Sequence, residues 1–145
     1  GLHFTRETAE SMAINNVEGA VIMAGSGMCT GGRVRHHLKH NLWNRRNSVV
    51  FVGFAAQGTL ARQIVDGAEV VRIFGKEIPV RAGVHTIGGF SAHADQAELL
   101  AWHQNTGEPR TTFLVHGEDQ AMQIFANKLE NTRVEMPEYQ QDFTL

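Results

Sequence analysis

The sequence predicts an α/β fold in which a mostly parallel sheet is flanked by helices. Three observations lead there. Short apolar runs alternate with helix-periodic stretches along most of the chain, the pattern of strand–helix–strand units. Two of those runs, at 19–24 and 48–54, carry no charge, as is usual for parallel strands covered on both faces. A hairpin-like pair breaks the rhythm once and suggests a junction between two α/β units near residues 68–92.

Residues 4–14 read as a helix, with Thr5 as N-cap and Glu7 suited to the positive end of the helix dipole. Residues 19–24 read as a buried strand. A glycine-rich loop follows, Gly25-Ser26-Gly27-Met28-Cys29-Thr30-Gly31-Gly32, and then a helix over 33–43. Residues 48–54 form the next strand. A short helix over 58–66 places Leu60, Ala61, Ile64 and Val65 on one face, with Gly67 past its end. Residues 69–74 and 78–84 read as strands around a turn at Gly75-Lys76. Residues 95–104 form a helix with Asp95 and Glu98 as a capping box. A strand at 111–115, a helix at 118–129 and a strand at 134–136 complete the order. Met122, Phe125, Ala126 and Leu129 turn toward a core, and Met23, Met28, Phe51 and Phe54 are assigned to core positions as well.

The 145 residues suffice for a sizeable core, and 42% hydrophobic with 19% charged residues is a globular balance. The net charge of -2 means that any affinity for nucleic acid must come from a local basic face. One cysteine, Cys29, excludes an internal disulfide and suits a reducing, cytoplasmic setting. No apolar run is long enough to span a bilayer. The first residue is Gly1 rather than Met, the expectation for a piece of a longer polypeptide.

Candidate chemistry gathers at two places. A strand, then glycines, then a helix start presents backbone N–H groups to an anion. Ser26 and Thr30 add hydroxyls there and Arg33 adds charge. The spacing has one residue too many for G-x-G-x-x-G, and no G-K-[ST] ending makes a P-loop. The alternative is a tight turn that only packs strand against helix. The helix beyond is basic, with Arg33, Arg35, His36, His37, Lys39 and His40. It reads either as a surface tracking a phosphate backbone or as a solvated face. His36 and His40 at i, i+4 could share a metal, although the glutamate of H-E-x-x-H is missing.

The second place holds two histidines at junctions. His93 stands two residues before the N-cap Asp95, where it could donate a proton to a leaving oxygen or bond a phosphate. His116 follows a strand at its carboxyl end, where open α/β sheets bind ligands. Each could equally be a loop histidine bonded to backbone or a helix cap. Asp95, Glu118 and Asp119 are candidate partners for these rings, and capping explains them as well. His3, His85 and His103 have no recognisable context.

Ser26-Gly27-Met28, Val52-Gly53-Phe54 with Gly58-Thr59-Leu60, Phe90-Ser91-Ala92-His93-Ala94-Asp95 and Val115-His116-Gly117-Glu118 occur in that order. As a set they resemble the β-CASP branch of the metallo-β-lactamase superfamily, which includes the eukaryotic cleavage-and-polyadenylation endonuclease and RNA-processing relatives in bacteria and archaea. The resemblance covers nearly the whole chain. It implies hydrolysis of RNA phosphodiesters at two zinc ions, in a cleft between a metallo-β-lactamase domain and an inserted β-CASP domain. It implies that His93 is the catalytic histidine at the scissile phosphate and that His116 is a zinc ligand. It places the loop Ser26 to Met28, Gly27 included, on the RNA-facing side. Beside it, the residues themselves suggest that Ser26, Thr30 and Arg33 help to hold the RNA backbone and that Asp95 and Glu118 stand behind the two histidines. Two metals would activate a water and stabilise the attacking and leaving oxygens.

The family's main metal motif, H-x-H-x-D-H, is absent from this sequence. The expectation is therefore a later portion of the fold. Residues 1–90 would be the second half of the β-CASP domain and 91–145 the returning segment of the catalytic domain. RNA and the missing N-terminal segment are then the expected partners. The piece alone is expected to be inactive and to hold zinc weakly or not at all, and its uncovered edge and apolar face lead to an expectation of self-association, marginal stability or a locally rearranged fold. Rival readings are a non-catalytic nucleic-acid-binding module and a metal-dependent hydrolase of another substrate.

Overall fold

The fold was read from a computed structural model that describes residues 1–89 and 93–144. The chain divides into two compact units, residues 1–91 and 92–145.

The first unit opens with α1 (Thr8–Ala13), which runs into a 3₁₀ turn, Ile14–Asn16. The Glu10 carboxylate accepts from the N–H groups of Arg6 (2.8 Å) and Glu7 (3.1 Å) and closes the first turn. The bond from Glu7, then that from Arg6, holds this carboxyl below the usual carboxylate range. Glu7 is the N-cap, in place of the expected Thr5. The Thr5 carbonyl and hydroxyl accept instead from Arg33 Nη1, at 2.7 and 3.3 Å, and the N-cap moves two residues on, with the helix beginning at Thr8.

Residues 19–24 do not form the expected buried strand. Val21 is 90% exposed and Met23 79% exposed. A strand persists only where a neighbour takes its backbone N–H and C=O groups, and no described strand runs beside this segment.

Helix α2 (Val34–Asn41) turns His37 and Leu38 inward, with the C-cap Leu42 behind them. Strand β1 (Ser48–Val52) pairs in parallel with β4 (Gly83–Ile87), Val50 opposite His85 and Val52 opposite Ile87. Phe51 is buried, whereas Val50, Val52 and Phe54 are 48, 59 and 59% exposed. β1 is thus covered on one face only, and Phe54 and Met23 are not core residues. Helix α3 (Leu60–Val65) starts at Thr59, whose Oγ1 accepts from the Arg62 N–H at 3.2 Å, and it buries Ala61 and Ile64.

Strands β2 (Val70–Ile73) and β3 (Lys76–Pro79) form an antiparallel hairpin. Its two-residue loop is Phe74-Gly75, at φ 50° and 75°, both positive as a type I′ turn requires. The turn therefore sits one residue earlier than expected. The expected strand 78–84 is two strands. Pro79 has no N–H to continue a ladder, and the N–H groups of Arg81 and Ala82 both bond the Leu42 carbonyl, at 2.9 and 3.0 Å. That fork redirects the chain from β3 into β4. Leu38, Leu42, Phe51, Ile64, Val71, Ile73 and Ile78 fill the core of this unit.

The second unit holds α4 (Gln96–Gln104), β5 (Thr111–Phe113), α5 (Asp119–Ala126) and β6 (Arg133–Glu135), with β5 and β6 parallel. Met122, Phe125, Ala126 and Leu129 form the less exposed side of α5 and its end, as the spacing predicts. Among the described residues of this unit none is fully buried. The α/β class holds, but among the described residues the expected mostly parallel sheet is three two-stranded pieces, two parallel and one antiparallel. No helix among the described residues is long and apolar enough to cross a membrane.

Candidate functional site

The glycine loop is closed on itself. The Ser26 N–H bonds the Gly31 carbonyl (3.5 Å), the Cys29 N–H the Ser26 carbonyl (3.1 Å), and the Val34 N–H the Gly25 carbonyl (3.4 Å). Gly32 sits at φ 78°, and a Cβ there would lie 2.5 Å from the Gly25 carbonyl oxygen. Gly27 has nothing within 4 Å of its would-be Cβ. The Ala61 N–H bonds the Met28 carbonyl at 3.2 Å and ties the loop to α3. Burial pushes the Cys29 thiol pKa up and keeps it a neutral packing group. Ser26 and Thr30 are exposed. Arg33 is engaged with the chain ahead of α1: Nη1 donates to the Thr5 carbonyl and Nη2 to the Arg6 carbonyl at 2.6 Å.

The histidines of α2 divide by face. His37 is buried, with Nε2 3.1 Å from Ser11 Oγ and Nδ1 3.3 Å from Asn15 Oδ1. Burial holds its pKa below the ordinary value, helped by the nearby charges of His36, His40 and Arg33. His36 and His40 are exposed, and the His36 ring lies 4.5 Å from that of Phe74.

In the second unit His93 is exposed, two residues ahead of the N-cap Asp95. The capping box is as expected. Asp95 Oδ1 accepts from the Glu98 N–H and Glu98 Oε2 from the Asp95 N–H, both at 2.9 Å. Phe90, Ser91 and Ala92 of that motif lie outside the described residues. His116 is exposed at φ 65°, a left-handed conformation in which His is among the enriched non-glycine residues. It turns the chain between the carboxyl end of β5 and the N-cap of α5, Glu118. A Cβ on Gly117 would lie 2.5 Å from Met122 Cγ, so glycine lets the turn close against α5. His103, which had no context in the sequence, has one here. Its Nε2 is 2.8 Å from Thr112 Oγ1, which is 2.9 Å from Thr132 Oγ1. The chain of bonds ties α4 to β5 and to the segment entering β6.

A catalytic zinc takes three protein ligands and leaves a position open. Among the described residues no group of three or more His, Cys, Asp or Glu side chains could hold a metal ion. They do not make a zinc centre by themselves, and His116 offers a single exposed imidazole.

Residues 1–64 match the Beta-Casp domain, and residues 77–137 match the Zn-dependent metallo-hydrolase RNA specificity domain. The chain belongs to the β-CASP family. Its glycine loop falls in the first match, and His93 and His116 both fall in the second. This β-CASP chain is 52% identical over 123 residues to Ribonuclease TTHA0252 of Thermus thermophilus, covering 84% of the chain and 28% of that protein. It is 37% identical over 120 residues to Transcription termination factor FttA of Methanocaldococcus jannaschii, covering 79% and 19%. It is 34% identical over 110 residues to an RNase J-like protein of the same organism, covering 76% and 26%. The chain thus spans little more than a quarter of the longest-covered of these relatives.

Proposed function

We propose that this β-CASP chain is part of a zinc-dependent ribonuclease that hydrolyses RNA phosphodiester bonds in RNA processing or decay. One observation carries the reading. His93 and His116 both lie in the segment matched by the Zn-dependent metallo-hydrolase RNA specificity domain, and both are exposed just ahead of a helix. The similarity to Ribonuclease TTHA0252 supports RNA as the substrate.

His93 is the catalytic histidine. An imidazole can present N–H to a phosphate oxygen and pass its proton to the leaving oxygen. Asp95 fixes the start of α4 and so the segment that carries His93. His116 is one zinc ligand, with Glu118 beside it at the N-cap of α5. The remaining ligands for two zinc ions come from outside this chain's described residues, in a polypeptide of its relatives' length. Zinc bound there supplies Lewis-acid activation of water. Ser26, Gly27 and Thr30 hold the RNA backbone, the open space at Gly27 allowing close approach. Arg33 holds the segment beside them and adds its charge to the loop. Cys29, a lone buried thiol, fits a cytoplasmic setting. The exposed Val50, Val52 and Phe54 make homo-oligomers of the isolated chain the expected state.

The test is hydrolysis of a labelled RNA. The 145-residue chain alone should be inert, whereas a polypeptide of its relatives' length should cleave and lose activity to a chelator. Chelator-sensitive cleavage by the 145-residue chain alone would overturn the division of labour.

A further inference from the structure

We infer that the outer stripe of α2, with Phe74 at one end and Trp43 at the other, is a binding site for single-stranded RNA. The choice of RNA rests on the ribonuclease reading; the site itself rests on the following observations.

The charge of the chain is segregated. Between Glu18 and Asp66 the sequence contains no acidic residue, although the net charge is -2. Helix α2 buries His37 and Leu38 and leaves Arg35, His36, Lys39 and His40 on the other side, one turn apart in two pairs. Among the described residues no carboxylate forms an ion pair with Arg35 or Lys39. Unpaired cations on one helix face, with no neighbouring anion to satisfy them, are the footprint of a polyanion site.

Aromatic rings bound the stripe. Trp43, two residues past the end of α2, is 52% exposed. Phe74 is 44% exposed at the tip of the β2–β3 hairpin. Its position is anomalous. The first residue of a type I′ turn is normally Asn, Asp or Gly, and a bulky side chain at positive φ is an outlier that asks for an explanation. The ring supplies one: the Arg35 guanidinium lies 4.6 Å over its centroid and the His36 ring 4.5 Å away. Arg35 is half-buried, and its Nε lies away from solvent with no partner among the described residues, so only the outer N–H groups of the guanidinium are left for phosphate oxygens. Arg35 Nη1 also reaches the Thr30 carbonyl at 3.4 Å, so the stripe is continuous with the glycine loop.

From Arg35 to Asn41 the helix rises about 9 Å, and Trp43 follows two residues beyond its end. Cations along that length with aromatic platforms at its ends match how single strands are held, phosphates by charge and bases by stacking. An acidic peptide would use the cations and leave the rings without a role.

The experiment is fluorescence anisotropy of a labelled short oligouridylate on the 145-residue chain, titrated between about 50 and 200 mM salt. Lys39→Gln should lower the slope of log affinity against log salt by about 0.7. Phe74→Asn and Trp43→Gln should weaken binding on the order of tenfold with the slope unchanged. Asn suits positive φ, so Phe74→Asn keeps the hairpin while removing the ring, and circular dichroism checks that it does. Wild-type affinity in all three variants overturns the inference, as does absence of any binding. So does heparin binding that matches RNA binding and is indifferent to Phe74 and Trp43. RNA cleavage by a polypeptide of the relatives' length is scored separately: its absence sinks the ribonuclease reading and leaves a positive binding result standing.

Discussion

Ser11 Oγ lies 3.1 Å from Nε2 of His37, with both side chains buried between α1 and α2. Asn15 Oδ1, 3.3 Å from Nδ1, is an acceptor. The ring hydrogen therefore sits on Nδ1, and Nε2 takes the Ser11 hydroxyl hydrogen. A neutral His37 is what joins the two helices.

Stability of the first unit should accordingly depend on pH. Burial, then the charges of His36, His40 and Arg33, lowers the folded-state pKa of His37 below the ordinary 6.5. Above that value both folded and unfolded chains carry the neutral ring and the contribution is fully present. As pH falls through about 6.5, the unfolded chain binds the proton first and stability is lost down to the folded pKa. Urea midpoints at successive pH values should show this loss, and His37→Gln should flatten it while costing about 1–3 kcal/mol at neutral pH. An unchanged pH profile in that variant would count against the neutral ring.

Gly32 and Gly27 should behave oppositely on conversion to Ala. Gly32→Ala places a methyl 2.5 Å from the Gly25 carbonyl oxygen at φ 78°. The left-handed conformation alone costs about 1–2 kcal/mol in an L-residue, and the collision adds to that. Gly27→Ala meets nothing within 4 Å, so the fold should tolerate it while RNA binding weakens. Chemical denaturation and RNA anisotropy on both variants separate the two roles. A marked loss of stability in Gly27→Ala would remove the case for close RNA approach.

Thr112→Val removes the hydroxyl that joins His103 to Thr132. Two part-buried hydrogen bonds at about 1 kcal/mol each put the cost near 1–2 kcal/mol. Faster amide exchange should follow in α4, β5 and β6, with the first unit unaffected. Uniform exchange rates in wild type and variant would mean that the three side chains are not coupled.

What was legible in the sequence was local. The Asp95–Glu98 capping box spans three residues, and the inward face of α5 follows from helical spacing, so both are readable from adjacent letters. The failures are where pairing is distant. Residues 19–24 carry the letters of a strand but have no described neighbour. The roles of His37 and His103 depend on Ser11 and Thr112, 26 and 9 residues away. The fork at Leu42 that splits 78–84 into two strands pairs residues some 40 positions apart. Phe74 carries no local signal of its role, because nothing in adjacent residues favours a bulky side chain at positive φ. The roles proposed for His93 and His116 rest on motif positions alone, whereas a zinc centre needs ligands that this sequence does not bring together among its described residues.

The central claim assigns different work to the two motif histidines, and one paired measurement tests it. In a polypeptide of the relatives' length, bound zinc and RNA cleavage are measured for His93→Ala and His116→Ala. His116→Ala should lose zinc and cleavage together. His93→Ala should keep its zinc and lose about 10²–10⁴-fold in cleavage rate. Wild-type zinc content and wild-type cleavage in both variants would contradict the account.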